Sequence, residues 1–130
     1  MVLGIGIDII EIARVESALE KRGRLQERLF TPQEIAYCTA RGRPGESLAA
    51  RFAAKEAVRK ACSAAMPGIV IPWLDIEIVM VDSRPTVNLL GNTAPSARKC
   101  GIQELFVTMS HSREYACASV LVLGEKLESC

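Results

Sequence analysis

The chain has 130 residues, of which 49% are hydrophobic and 24% charged, and its formal net charge is +1 at pH 7. This length and apolar content predict a single folded domain over residues 1–130 and exclude a disordered chain. The balanced charge argues against a nucleic-acid binder with a broad positive field. One Trp, two Tyr and three Phe are also few aromatic rings for stacking on bases.

The five cysteines, Cys38, Cys62, Cys100, Cys117 and Cys130, contain no CxxC pair. This spacing predicts reduced thiols in a cytoplasmic protein rather than a disulfide framework or a zinc site. No basic segment precedes an apolar run at the N-terminus, so no signal peptide is expected. No apolar run approaches the roughly 20 residues of a membrane span, so no membrane association is expected either.

The first predicted element is a strand over residues 2–10, where β-branched residues dominate. Such a run predicts a strand buried on both faces. Gly4 and Gly6 form a GxG pattern without the third glycine of a dinucleotide-binding turn, so a Rossmann fold is weakly supported. Asp8 stands alone among aliphatic residues, and a buried carboxylate must be hydrogen-bonded, paired or bound to a metal. Two interpretations stay open for it, a helix N-cap and a metal ligand.

Two helical patterns follow, over residues 11–22 and 24–29. In the first, Ile12, Val15 and Leu19 recur at the spacing of an amphipathic helix. Basic residues cluster on the exposed side of this region: Arg14, Lys21, Arg22, Arg24 and Arg28. Most such clusters are simply solvated helix faces.

Two further helices are predicted, and the second is the longest in the chain. Thr31 as N-cap, Pro32 at N1 and Glu34 in a capping box indicate a helix that runs to about Thr39. After a loop containing glycine and proline, a central helix is expected over residues 47–64. One face of it is lined with small apolar side chains: Ala49, Ala50, Ala53, Ala54, Ala57, Val58 and Ala61.

The opposite side of the central helix is charged. Arg51, Lys55 and Arg59 follow one another at i, i+4 spacing, and Glu56 and Lys60 stand beside them. One carboxylate among four cations suits a site for a metal and a phosphate. It equally suits an ordinary salt-bridged surface, because Glu56 and Lys60 have the favourable i, i+4 order.

The rest of the chain is predicted to hold two hairpins and a short helix. Strands are expected over residues 74–81, 86–90, 104–111 and 115–123, with a helix over residues 92–100. This irregular order predicts an α+β fold, with a small, mostly antiparallel sheet packed by the long central helix, rather than a doubly wound α/β fold.

Three segments, residues 4–9, 51–61 and 107–112, together resemble the 4'-phosphopantetheinyl transferases, in particular their short holo-acyl-carrier-protein synthase type. The resemblance implies the fold of that family and the transfer of phosphopantetheine from coenzyme A to a serine of apo acyl carrier protein. It also implies a role in fatty acid biosynthesis, a Mg²⁺ ion with Mn²⁺ as a possible substitute, and a cytoplasmic homotrimer whose active sites lie between subunits.

The resemblance assigns the reaction centre to three residues. Asp8 and Glu56 match the metal ligands, and hard carboxylate oxygens are what Mg²⁺ prefers. Glu56, directly or through a metal-bound water, is the expected base. Lys60 matches a lysine that holds the phosphates of the substrate.

Four further residues are expected to bind the nucleotide. Arg51 and Lys55 are weaker matches that face the ligand from the central helix, whereas Ser110 and His111 match a Ser-His pair beside the ribose 3'-phosphate and the adenine. The alternative for His111 is a histidine that merely caps a strand at a hairpin edge.

The basic cluster from Arg14 to Arg28 resembles the docking surface for acyl carrier protein, whose acidic charge would orient the encounter. A non-catalytic module that binds an acidic protein through this surface is the alternative function, and it would need neither Asp8 nor Glu56. Two departures from the family pattern concern backbone geometry: Ser83, and Cys62 with Ser63, stand where the family commonly has glycine.

Overall fold

The structure, a computed structural model, describes residues 1–127 and 130. The strands are β1 (Val2–Glu11), β2 (Ile76–Val81), β3 (Arg84–Leu89), β4 (Ile102–His111) and β5 (Tyr115–Gly124). The helices are α1 (Ile12–Lys21), α2 (Leu25–Leu29), α3 (Pro32–Thr39), α4 (Pro44–Cys62) and α5 (Thr93–Lys99), with a 3-10 turn at Trp73–Asp75. The predicted α+β class and order of elements are confirmed. Within the described residues, no helix has the length and apolar character needed to cross a membrane.

Two antiparallel sheets form the β structure, a three-stranded sheet in the order β1-β5-β4 and the hairpin of β2 and β3. Helix α4 lies across the inner face of the larger sheet, and its predicted alanine face is buried there. Gly4 and Gly6 make this approach possible, because a Cβ atom at either would overlap the carbonyl oxygen of Ala61 or Ala57. The GxG pattern therefore serves close packing of strand on helix, and it brings β1 against the end of α4 that carries Lys60.

The outer face of the three-stranded sheet is open to solvent and apolar. Ile5, Ile7 and Ile9 of β1 are 71%, 68% and 66% exposed, and Phe106 and Tyr115 on the neighbouring strands are also exposed. The prediction that β1 is buried on both faces is therefore wrong for a single chain. The reason is that α4 covers the inner face, whereas none of the described residues covers the outer one.

The hairpin of β2 and β3 turns at Asp82 and Ser83, whose φ angles are 50° and 64°. This left-handed region favours glycine, so a serine at position 83 costs some local stability. Both residues are exposed, and neither lines the cavities described below.

The prediction of five reduced thiols is wrong for two of the cysteines. Cys100 and Cys130 form a disulfide, with their Cα atoms 4.9 Å apart. The segment after β5 folds back past the end of α5, where the Glu125 N–H donates a hydrogen bond of 2.9 Å to the Gly101 carbonyl oxygen. Cysteine spacing does not reveal this return of the chain. Cys38 and Cys62 are buried free thiols, and Cys117 is a half-buried one.

Candidate active site

A cleft of about 500 Å³ opens between the end of β1 and helices α1, α2 and α4. We call it the carboxylate cleft, because Asp8 from β1 and Glu56 from α4 both line it. Its other walls are mostly apolar: Ile9, Ile10, Val15, Ala18, Leu19, Leu25, Leu29 and Phe52. Arg14 and Arg22 of α1 complete it. The structure thus brings together two residues that are 48 positions apart, 56 − 8, in the sequence.

Asp8 is held by Lys60. The Lys60 Nζ atom lies 3.0 Å from the Asp8 Oδ1 atom and donates a second hydrogen bond of 3.0 Å to the Ile7 carbonyl oxygen. The interpretation of Asp8 as a helix N-cap is wrong, because Glu11 is the N-cap residue of α1 and makes no side-chain capping bond. A lysine has three N–H donors. Two are accounted for here, which leaves one to reach an anionic substrate.

The donor set of the carboxylate cleft fits a magnesium ion. Its acidic side chains are those of Asp8 and Glu56, and no group of three or more His, Cys, Asp or Glu side chains that could hold a metal occurs in the described part of the chain. Mg²⁺ is commonly bound by one or two carboxylates, with water and substrate phosphates as the other ligands. A structural zinc ion would instead need four protein ligands.

The buried thiols contribute no nucleophile. Burial raises the pKa of both the Cys38 and the Cys62 thiol to about 11. At neutral pH both thiols therefore stay protonated, and a protonated thiol is a poor nucleophile.

Two cations of α4 do not lie where the helical pattern predicted. Arg51 is 4% exposed and Lys55 is fully buried, so the predicted outward position is wrong for both. The Lys55 ammonium lies 2.7 Å from Glu34 Oε1 and donates hydrogen bonds to the carbonyl oxygens of Leu29 (2.7 Å) and Trp73 (3.1 Å). Its three N–H donors are thus all used within the protein, and none is left for coenzyme A. Burial lowers the pKa of Lys55, and the Glu34 carboxylate opposes that shift.

A second cavity, of about 310 Å³, lies at the other end of α4. We call it the basic cavity, because Arg41, Arg43, Arg51 and His111 line it against a single carboxylate, that of Glu46. Arg41, Arg43 and Glu46 were not predicted as site residues, because residues 41–45 were interpreted as a loop and the central helix was expected to begin at residue 47. In the structure α4 begins at Pro44, so Glu46 lies in its first turn. The Arg-Gly-Arg sequence of residues 41–43 was the available signal.

Arg51 is the most constrained cation of the basic cavity. Its guanidinium carbon lies 4.5 Å from the centre of the Tyr37 ring, and its Nη1 atom donates a 3.2 Å hydrogen bond to the Ser47 carbonyl oxygen. Its Nε atom is buried and has no hydrogen-bond partner among the described residues. A buried donor of this kind favours an anionic ligand in the cavity.

His111 lies at the end of β4, with its Nε2 atom 3.3 Å from Glu46 Oε1. Ser110 precedes it, and successive side chains of a strand point to opposite faces. Ser110 is accordingly exposed on the outer face of the sheet, in register with Cys117 and Ile9, and does not line the basic cavity. Within one chain, the predicted Ser-His pair therefore does not share a cavity.

The carboxylate cleft and the basic cavity have no lining residue in common. In the sheet, Asp8 is in register with Ala118 of β5, which is in turn in register with Met109 of β4. Strand β5 therefore separates the strand that carries Asp8 from the strand that carries His111. One chain presents its predicted metal ligands and its predicted nucleotide contacts in two different places.

The predicted docking cations divide into two groups. All five are exposed, but only Arg14 and Arg22 line the carboxylate cleft. The other three lie on the surface beyond it: Lys21, Arg24 and Arg28.

Comparison with known proteins identifies the family of this chain. The family model of the 4'-phosphopantetheinyl transferase superfamily matches residues 4–120. The holo-[acyl-carrier-protein] synthase of Moorella thermoacetica is 50% identical over 118 residues, which cover 90% of this chain and 91% of that protein.

Solved structures of such enzymes are also similar. The Neisseria meningitidis holo-[acyl-carrier-protein] synthase matches with a TM-score of 0.85 and 30% identity, covering 95% of this chain and 99% of that one. The Helicobacter pylori enzyme, solved in complex with coenzyme A, matches with a TM-score of 0.74 and 34% identity, covering 92% and 99%. The chain therefore belongs to the holo-[acyl-carrier-protein] synthases of the 4'-phosphopantetheinyl transferase superfamily.

Proposed function

We propose that the carboxylate cleft transfers 4'-phosphopantetheine from coenzyme A to a serine of apo acyl carrier protein, with Asp8 and Glu56 as ligands of Mg²⁺. The observation that carries this proposal is the pair of carboxylates in one cleft, with Lys60 on Asp8. Such a pair leaves coordination positions for substrate phosphates. Mn²⁺ could replace Mg²⁺, because both ions accept oxygen ligands.

The chemistry is an in-line displacement at phosphorus. The carrier serine oxygen forms a bond to the phosphorus that bears the pantetheine arm, the phosphoanhydride bond breaks, and adenosine 3',5'-bisphosphate leaves. Glu56 accepts the serine proton, directly or through a bound water. Lys60 places its positive charge beside the phosphates, and a cation held by Asp8 and Glu56 would polarise the pyrophosphate. Positioning and electrostatics supply most of the catalysis in such transfers.

We further propose that the nucleotide end of coenzyme A occupies the basic cavity of a neighbouring copy, in a homotrimer. Three guanidinium groups and His111 suit the 3'-phosphate of the ribose. The two cavities of one chain are separate, and the outer face that carries Ile5, Ile7 and Ile9 is apolar and uncovered. Large exposed apolar faces are typical of subunit interfaces. Ser110 lies on that face, where a neighbouring copy would bring it to the shared site.

The function is tested by mass spectrometry of apo acyl carrier protein incubated with the protein, coenzyme A and Mg²⁺. A mass gain of about 340 Da, that of phosphopantetheine, is expected with Mg²⁺ and is expected to be lost when EDTA removes the metal. No gain with several carrier proteins would favour the alternative, a non-catalytic module that binds an acidic partner.

The docking role is tested by Arg14→Ala. Arg14 is exposed and lines the cleft, so we expect its loss to raise the KM for carrier protein roughly tenfold and to leave the KM for coenzyme A nearly unchanged. Steady-state kinetics with each substrate varied in turn provide the measurement. Arg98→Ala removes an exposed arginine on α5, far along the chain, and serves as the matched control. Equal changes in both KM values would count against a docking role for Arg14.

A cytoplasmic location is part of the proposal, because the reaction needs coenzyme A and acyl carrier protein in the same compartment.

A further inference from the structure

Lys55 is the centre of a buried polar cluster that the proposed chemistry does not use. Its partner Glu34 is 1% exposed and accepts hydrogen bonds of 2.9 Å from the Thr31 N–H and the Ile78 N–H. The Thr31 hydroxyl in turn donates a 2.6 Å hydrogen bond to Glu77. Every polar atom of the Lys55–Glu34 pair therefore has a partner, and the pair joins α4 to the start of α3 and to β2.

The same ammonium holds one wall of the carboxylate cleft. Lys55 donates a 2.7 Å hydrogen bond to the carbonyl oxygen of Leu29, the last residue of α2, and lies 5.4 Å from the centre of the Phe30 ring. Leu25 and Leu29 of α2 line the cleft, yet no residue of this five-residue helix is buried. Because no residue of α2 is buried, we expect the buried Phe30 ring and the bond from Lys55 to contribute much of its attachment.

Lys55 also binds the 3-10 turn at Trp73–Asp75, which packs beside α4. It donates a 3.1 Å hydrogen bond to the Trp73 carbonyl oxygen. The Trp73 ring lies 5.2 Å from the Phe52 ring and 3.2 Å from the guanidinium carbon of Arg59. Phe52 lines the cleft one turn before Glu56. Lys55 thus links the wall formed by α2 to the edge of α4 that presents Glu56.

We infer that Lys55 is a positioning residue that sets the separation of α2 from α4, and so the access of the carrier serine to Glu56. The inference rests on the proposed function of the cleft. It differs from phosphate binding, because Lys55 is fully buried and its N–H donors end on Glu34, Leu29 and Trp73. A displaced α2 would also move Arg28, one of the proposed docking cations.

Lys55→Met tests the inference, because it keeps the length of the side chain and removes the ammonium. We expect kcat/KM for carrier protein to fall about tenfold or more, with less than about a twofold change in the KM for coenzyme A. Trp73 is the only tryptophan of the chain, so its fluorescence reports on the same region. A red shift of its emission is expected as the segment loosens from α4.

Two further variants separate positioning from general loss of stability. Lys55→Met leaves the buried Glu34 carboxylate unpaired, which is strongly destabilising. Lys55→Met with Glu34→Gln removes both charges and keeps an amide oxygen that can still accept a buried backbone N–H at this position. We expect the double variant to regain thermal stability and to keep the defect with carrier protein. Val58→Ala is the matched control, because it removes buried volume from the sheet-facing core of α4 and leaves the cleft wall intact. It is expected to lower thermal stability without lowering kcat/KM for carrier protein.

Several outcomes would overturn the inference. They are unchanged kinetics in Lys55→Met, a rise in the KM for coenzyme A as the main effect, and the same defect in Val58→Ala. A wild-type protein without transferase activity would instead contradict the proposed function, so the two failures are distinguishable.

Discussion

Replacing Glu56 with Gln is expected to lower kcat for carrier-protein modification by about 10³-fold. The substitution keeps the size of the side chain but removes the proposed metal ligand and base, and general base catalysis alone typically contributes 10²- to 10⁴-fold. Asp8→Asn is expected to have an effect of similar size, because it removes the other carboxylate of the cleft and the partner of Lys60.

The measurement is the initial rate of phosphopantetheine transfer at saturating substrates, with circular dichroism to confirm folding. Glu20→Gln provides a control, since Glu20 is an exposed carboxylate on α1 that does not line the cleft. If either cleft variant has a kcat within a few-fold of wild type, the carboxylate that it replaces is not needed for the reaction.

Co-expression of two inactive variants is expected to restore activity if the active site is shared between copies. One variant is Asp8→Ala, which removes one of the two carboxylates of the carboxylate cleft. The other combines Arg43→Ala with His111→Ala, two exposed positions of the basic cavity. In a randomly mixed trimer, about one quarter of the shared sites receive an intact half from each neighbour, so about a quarter of wild-type activity is expected.

The matched control is the mixture of Asp8→Ala with Glu56→Ala. Both residues belong to the same cleft of one chain, so no mixed site is intact and no activity is expected to return. Recovery in the first mixture but not in the second would locate the two halves of the site on different chains. No recovery in either mixture would show that one chain carries the whole site. Light scattering should give the mass of three 14.1 kDa chains.

Much of the fold could be predicted from the sequence, because its strongest signals depend only on residues that are close together in the chain. The Thr31 capping box and the alanine face of α4 are both present, since capping and periodic burial depend on neighbours in the sequence. The outer face of β1 could not be assigned in the same way. Its isoleucines favour burial of that face, but they do not indicate whether the covering residues would belong to the same chain.

The candidate site was predictable only in part. The resemblance brought Asp8 and Glu56 together, and the structure adds the Lys60 contact that spacing alone does not give. Helical periodicity gives the direction of a side chain around the axis but not what packs on that side. Lys55 was therefore expected at the surface, although the segments around Leu29 and Trp73 cover it.

The most direct test of the central claim is a Mn²⁺ titration monitored by electron paramagnetic resonance, in the presence of coenzyme A. If Asp8 and Glu56 hold the metal, wild-type protein is expected to bind one Mn²⁺ per site, and Asp8→Asn and Glu56→Gln are each expected to bind it at least about tenfold more weakly. Wild-type affinity in both variants would contradict the claim and would place the metal elsewhere.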